Sequence, residues 1–271
     1  MAMSAPRFYI PQLATTATGF LDGAEARHAA SVLRLSVDDR LCLFDGLGHE
    51  ALARITAMSR NAIEYEVLER TDTDRELPHP LTLAVALPKG DRQKTLVDAA
   101  TELGVTHFIP LRTRRGVAQP TDNALDRLRR GVIEASKQCG RNRLMEIGEP
   151  VELSDLASSE SNLTGSPAEV PANTLKLVAH PYDDAGARCS LTEALNQHAD
   201  ILPDRESASG CPVTIVIGPE GGLTAEEAQL FAASQWRMVD LGRTILRVEI
   251  AAISTVAQIA AWLHYTTVQR P

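Results

Sequence analysis

Apolar and polar residues recur with two different periods along this chain, and the change from one to the other divides it. Short runs with β-type spacing dominate the N-terminal part: RFYI (7–10), LCLF (41–44) and further strands at 50–55 and 63–68. Asp45 and Gly46, followed by Gly48, supply a tight turn into the third of these, because such residues tolerate the backbone angles a hairpin needs. One stretch, 23–35, has helical spacing instead, with Ala26, Ala29, Ala30 and Leu33 on one side. The polar segment TDTDRELPHP (71–80) carries two prolines and reads as a linker. A small β-rich domain is therefore expected over 1–75 and a second domain over 76–271.

Beyond the linker the pattern becomes β-α-β. LTLAVALP (81–88) is a continuously apolar strand, 93–103 is a helix that stops at Gly104, and VTHFIPL (105–111) returns as a strand. Two parallel strands require such a crossover, so an α/β domain with a parallel sheet follows. A helix over 124–138 keeps Leu125, Leu128, Val132 and Ala135 for the core. Further buried strands are expected at 175–179 and 213–217, and a helix starts near Ser190 with Glu193 in capping-box position. The stretches 154–173 and 200–210 are rich in Ser, Glu, Pro and Gly and read as surface loops. The last helix, 249–263, is apolar nearly all round and so has to be buried on more than one side.

Three of these strands end in turns suited to ligand contact: LKLVAHP (175–181), VTIVIGPEGG (213–222) and MVDLGRTILR (238–247). The second is the most informative. Gly218, Pro219, Gly221 and Gly222 let the backbone turn sharply and approach a ligand closely, and Thr224 with Glu227 forms a capping box at the start of the next helix. In an open parallel sheet, ligands bind beyond the carboxyl ends of the strands, so the three turns are expected to converge on one pocket.

Composition narrows the chemistry. A 271-residue chain with 44% hydrophobic and 23% charged residues has the make-up of a globular protein. Its four cysteines, Cys42, Cys139, Cys189 and Cys211, are widely spaced without any C-x-x-C pair, so reduced thiols and no metal site are expected. The N-terminus lacks signal-peptide organisation, and the most apolar run, 250–263, is too short to span a bilayer. A soluble, cytoplasmic protein is the expectation. There is no G-x-G-x-x-G, G-x-x-x-x-G-K-[ST], G-x-S-x-G or H-E-x-x-H, which disfavours dinucleotide oxidoreductases, P-loop hydrolases, common serine hydrolases and zinc proteases.

The net charge of -8 argues against coating nucleic acid by bulk charge. Locally the sign reverses: nine Lys/Arg against three Asp/Glu between 112 and 143 leave +6. On an acidic protein that segment is a candidate footprint for a phosphate backbone.

Taken in order, RFYIP, HAASVLRLSVDDRLCLFDGLGHE, KGDRQKTLVDAATELGV, IEASKQCGRNRL, IGPEGGLT and LGRTILRVEIAA resemble the successive blocks of the RsmE family over almost the whole chain. These are bacterial methyltransferases acting on N3 of a uridine in small-subunit (16S) ribosomal RNA. The resemblance implies a PUA-like β-barrel followed by a SPOUT methyltransferase domain with a C-terminal trefoil knot, S-adenosyl-L-methionine as cofactor, and a homodimer. The final block departs from the family pattern, with Val248 and Ile250 in place of two threonines.

Carried over by position, the cofactor residues are His180 and Pro181 on the first turn, Gly218, Pro219, Glu220, Gly221 and Gly222 on the second, and Leu241, Gly242, Ile245, Leu246 and Arg247 on the third. Uridine N3–H is a weak acid, so a cation beside O2 and O4 stabilises the anion while a carboxylate or water takes the proton. Arg247 or Arg141 is the candidate for the first role and Glu249 for the second. Candidate RNA contacts are Arg7, Arg27, His28, Arg34, Lys89, Arg92, Arg114, Arg115, Arg141 and Arg143. Two alternatives share these features: an inactive RNA-binding ribosome-assembly factor, and a knotted methyltransferase acting on another RNA.

Overall fold

The computed structural model describes residues 5–13, 15–59, 61–158, 174–180, 189–199 and 212–268. Its first compact unit comprises Met1–Glu76 with Ile133–Leu144, and its second Leu77–Val132 with Met145–Pro271.

The first unit is built on five strands: β1 (Arg7–Tyr9), β2 (Thr18–Asp22), β3 (Arg40–Phe44), β4 (Glu50–Met58) and β5 (Ala62–Thr71). They form one sheet in the order β1-β3-β4-β5-β2, antiparallel except where β1 lies along β3. Two register shifts between β4 and β5 raise the local twist and curl the sheet around its buried face. That face packs Phe8, Leu41, Leu43, Ala53, Ile55, Ile63 and Tyr65 together. Alternate residues of each strand supply them, the period expected of a half-buried strand.

Two expectations need correction in this unit. The helix expected over 23–35 is shorter: α1 (Gly23–Arg27) runs into a π-helical turn, His28–Val32. There the Leu33 N–H donates to the His28 carbonyl at 3.1 Å, and Arg34 then turns at φ 55. The segment 71–80 is only partly a linker, because β5 continues to Thr71 and Arg75 is anchored on Glu50 through two 3.0 Å hydrogen bonds.

The second unit adds β6 (Leu81–Ala86), α2 (Arg92–Glu102), β7 (His107–Arg112), α3 (Asp122–Cys139, whose last residues belong to the first unit), β8 (Glu146–Ile147), β9 (Val151–Glu152) and α4 (Leu153–Ser158). It continues with β10 (Leu175–Ala179), β11 (Cys189–Ser190), α5 (Leu191–Ala199), β12 (Val213–Ile217), α6 (Ala225–Ala233), β13 (Arg237–Asp240) and α7 (Val248–Val268). Every strand pair here is parallel, in the order β11-β13-β10-β12-β6-β7-β8, with β9 also on β7. All residues of β6 and β12 are buried, as central strands of a parallel sheet covered on both faces must be.

One face of the sheet is closed by α4 and α6 through Leu153, Leu156, Ala157, Phe231 and the edge-to-face ring of Trp236. The stretch 154–173, expected to be a surface loop, thus opens as a helix, because Leu153, Leu156 and Ala157 recur at helical spacing and bury against Val178 and Val216. Residues 159–173 and 200–211 lie outside the described residues. The apolar α7 buries Ala252, Val256, Ile259 and Leu263 but leaves Ile250 half exposed. Among the described residues no helix is long and apolar enough to cross a membrane.

Candidate functional site

Strands β13, β10 and β12 are neighbours and parallel, so their carboxyl ends lie side by side. Beyond those ends is a cavity of ≈ 800 Å³. His180 enters it from the first turn, the whole run from Gly218 to Leu223 from the second, and Asp240 to Leu246 from the third, with Val248 and Ala251 of α7 as floor. Residues as far apart in sequence as His180 and Leu246 meet because parallel pairing aligns the strand ends that carry them.

Each turn is pinned by its own bonds. The His180 N–H donates to the Val239 carbonyl at 3.0 Å, tying the first turn to β13. In the second, the Gly222 N–H closes on the Pro219 carbonyl at 2.8 Å and Gly222 takes φ +67, which a side chain adopts only under strain. Next in the chain, the Thr224 hydroxyl accepts from the Glu227 N–H at 3.2 Å while the Glu227 carboxylate accepts from the Thr224 N–H at 2.7 Å. The capping box holds the start of α6 directly against the turn. In the third, the Gly242 N–H donates to the Asp240 carboxylate at 3.0 Å.

Seven of the nine cations of the basic segment are exposed, as expected, but two of them are also tied to the second turn. Arg115 donates to the Gly221 carbonyl at 2.9 Å and the Leu223 carbonyl at 3.3 Å, and its side chain lies so close that a Cβ on Gly221 would meet it at 3.1 Å. Arg114 pairs with Glu226 in the first turn of α6. Arg92 reaches Glu220 at 3.3 Å and Glu249 at 3.5 Å. Three residues expected to contact RNA therefore brace the second turn. Local charge density is visible in sequence, but side-chain direction is not.

In the first unit, Arg7 is held by Glu50 at 2.7 Å and by the Arg141 carbonyl at 3.2 Å, with its guanidinium 4.9 Å from the Phe44 ring centre. Arg141 is 4% exposed, and its guanidinium is committed to Glu76, with Nε 3.0 Å from the carboxylate. It is not among the residues lining the cavity. Burial alone would push the Glu50 carboxyl up, but hydrogen bonds and charge from Arg75 and Arg7 outweigh it and hold it below its ordinary value. Arg27, Arg34 and Arg143 are exposed, and His28 is half buried with its ring against Phe8. Lys89 is exposed in the second unit.

Arg247 is exposed at the end of the third turn, and Glu249 is 5% exposed one residue inside α7. Neither lines the cavity, whereas Arg243, Thr244 and Leu223, which sequence reasoning passed over, do. Their signal was positional: Arg243 and Thr244 sit between two residues already assigned to a turn, and Leu223 between the second turn and its helix cap. Val248 is buried at the cavity floor, and Pro181 lies outside the described residues. Among the described residues no group of His, Cys, Asp and Glu is arranged to hold a metal.

Residues 75–260 match the family model of the RNA methyltransferase domain, and residues 21–68 match that of the RNA methyltransferase PUA domain. A parallel sheet with a strand-end cavity in one unit and a curled PUA-like sheet in the other thus define an RNA methyltransferase of the SPOUT type. A ribosomal RNA small subunit methyltransferase E of Rickettsia conorii is 32% identical over 233 residues, covering 86% of this chain and 84% of that one. The protein of that name in Synechocystis is 31% identical over 256 residues, 94% of this chain and 76% of that one. The crystal structure of a ribosomal RNA small subunit methyltransferase E from Neisseria gonorrhoeae bound to S-adenosyl methionine superposes with a TM-score of 0.77 at 29% identity, over 95% of this chain and 97% of that chain. A Legionella pneumophila methyltransferase in complex with the same cofactor gives 0.78 at 26% identity, over 95% and 97%. The chain belongs to the ribosomal RNA small subunit methyltransferase E family, as its sequence blocks led us to expect.

Proposed function

We propose that this chain transfers the methyl group of S-adenosylmethionine to N3 of a specific uridine in 16S ribosomal RNA. The observation that carries the reading is the ≈ 800 Å³ cavity formed by three adjacent strand ends in a chain of this family. The cavity fits the cofactor chemically. Backbone and small apolar groups line it, open space surrounds the Cβ positions of Gly222 and Gly242, and Asp240 offers negative charge to a cationic ligand. His180, the 218–222 turn and the 241–246 turn would hold it.

Bound there, the cofactor supplies a methyl group made electrophilic by its sulfonium. The protein's share is to orient the base and stabilise the anion left when N3–H ionises. Arg141 is committed to Glu76, so we assign the stabilising cation to Arg247, exposed beside the third turn. Glu249 faces Arg92, which leaves the proton to solvent water. Arg27, Arg34 and Arg143 are the exposed cations of the first unit that we assign to the RNA backbone.

We further infer the trefoil knot and a homodimer. The first is supported by β13 lying on one side of β10 and the earlier β12 on the other. Stretching the chain from both ends should leave a tightened loop, and recovery of the full contour length would exclude the knot. The second is supported by the apolar Ile250, 49% exposed on α7. An enzyme of this kind works in the cytoplasm, which cell fractionation checks: recovery in the membrane fraction would be contrary.

Calorimetry with S-adenosylmethionine tests the cofactor assignment. Saturable one-site binding is expected, and none at millimolar cofactor would favour an inactive assembly factor. Arg247→Ala should bind cofactor while methylation falls about 100-fold; an unchanged rate would remove Arg247 from the mechanism.

A further inference from the structure

One cation in the second unit is shared by the two longer turns of the cavity. Arg92, the first residue of α2, lies 3.3 Å from the Glu220 carboxylate and 3.5 Å from that of Glu249. Glu220 is the acid of the glycine turn after β12, and Glu249 is the second residue of α7, directly after the turn that follows β13. One acid thus lies on a turn of the cavity and the other directly follows a second turn, and a guanidinium reaches both.

The surroundings show why this residue can act as a fixed point. Gln93, next in the chain, is buried and donates to the Pro88 carbonyl at 2.8 Å, and Arg127 donates back to Gln93 at 3.4 Å. The base of the Arg92 side chain is therefore anchored to the end of β6 and to α3. Glu249, 5% exposed, has its charge met by a guanidinium held from outside its own element. A buried carboxylate without a partner is costly, and two carboxylates with no cation between them repel. Both considerations favour keeping the two turns at the spacing Arg92 sets.

We propose that Arg92 is a positioning residue that clasps the second and third cofactor turns together, and that it acts on cofactor affinity, not as a contact to RNA. This rests on the cofactor reading given above. The effect is a coupling between two loops, so it is expected to be reciprocal: the bound cofactor should stabilise the clasp as much as the clasp stabilises binding.

The test is calorimetric titration of the RNA-free protein with S-adenosylmethionine, beside titration of the same variants with a fragment of small-subunit ribosomal RNA. Arg92→Ala should weaken cofactor binding roughly tenfold, Arg92→Lys should regain a substantial part of it, and RNA affinity should stay within about twofold of wild type. Glu220→Gln should weaken binding by itself, and the Arg92→Ala, Glu220→Gln double variant should be no weaker than Arg92→Ala alone. Cofactor affinity unchanged in Arg92→Ala, with RNA affinity reduced, would overturn the clasp and return Arg92 to RNA contact. If Arg92→Ala fails to fold, Arg92→Lys and Glu220→Gln decide, since equal affinity to wild type in both contradicts the clasp. A wild-type chain that binds no cofactor would sink the underlying reading, an outcome separate from wild-type binding that Arg92→Ala leaves intact.

Discussion

Thr224→Ala probes the joint between the glycine turn and α6. The substitution removes the hydroxyl that accepts the Glu227 N–H at 3.2 Å, while the return bond, from the Thr224 N–H to the Glu227 carboxylate at 2.7 Å, stays available. Half the box is lost, so the cost is that of one N-cap, about 1 kcal/mol. For a unit of this size that corresponds to a fall of about 2–4 °C in the melting temperature. The neighbouring Leu223 lines the cavity, so part of the same free energy should appear in cofactor affinity, up to about fivefold. Thermal melting followed by circular dichroism, with and without S-adenosylmethionine, measures both. Thr224→Ser keeps the oxygen and should lie near wild type. If Thr224→Ala melts with wild type, or if Thr224→Ser is as destabilised as Thr224→Ala, the cap is not what holds the turn.

Other substitutions test other parts of the account. Gly222→Ala meets no atom within 4 Å but must adopt φ +67, so it should cost about 1–2 kcal/mol from the backbone alone; a urea midpoint equal to wild type would show that the turn readily changes shape. Glu50→Gln leaves Arg7 and Arg75 with a neutral partner; because Arg75 is 35% exposed, the loss should be at the low end of about 3–5 kcal/mol, read from urea unfolding of the first unit. The Glu50 carboxyl is held below its ordinary value of 4.5, so the stability it contributes is complete above that pH and lost as pH falls through its lower folded value. Wild type should therefore show an acid limb below about pH 4.5 that Glu50→Gln flattens, and equal limbs would contradict the network. Ile250→Asp should change monomer stability by no more than about 0.5 kcal/mol yet shift the chain to monomers in sedimentation equilibrium; an unchanged mass would place the subunit interface elsewhere.

Much of the second unit was legible because its signals are local. A continuous apolar run marks β6 and β12, Gly104 marks the end of α2, and Thr224 with Glu227 announces α6 before any packing is known. The turns of the cavity were legible for the same reason, since each directly follows a strand. What escaped depends on neighbours distant in sequence. Helix α4 has the right spacing in Leu153, Leu156 and Ala157, but a Ser-rich and Glu-rich continuation obscured it. Arg141 finds Glu76 across 65 residues, and Arg92 finds Glu249 across 157, pairings no window along the chain can see. The basic segment does keep most of its cations exposed, but composition does not show that Arg114 and Arg115 reach the second turn.

Mass spectrometry of ribosomal RNA from a strain lacking this protein tests the central claim most directly. The account predicts that N3-methyluridine disappears from one position of the small-subunit RNA and returns when the wild-type gene, but not an Arg247→Ala version, is restored. Intact N3-methyluridine in the deletion strain would contradict it.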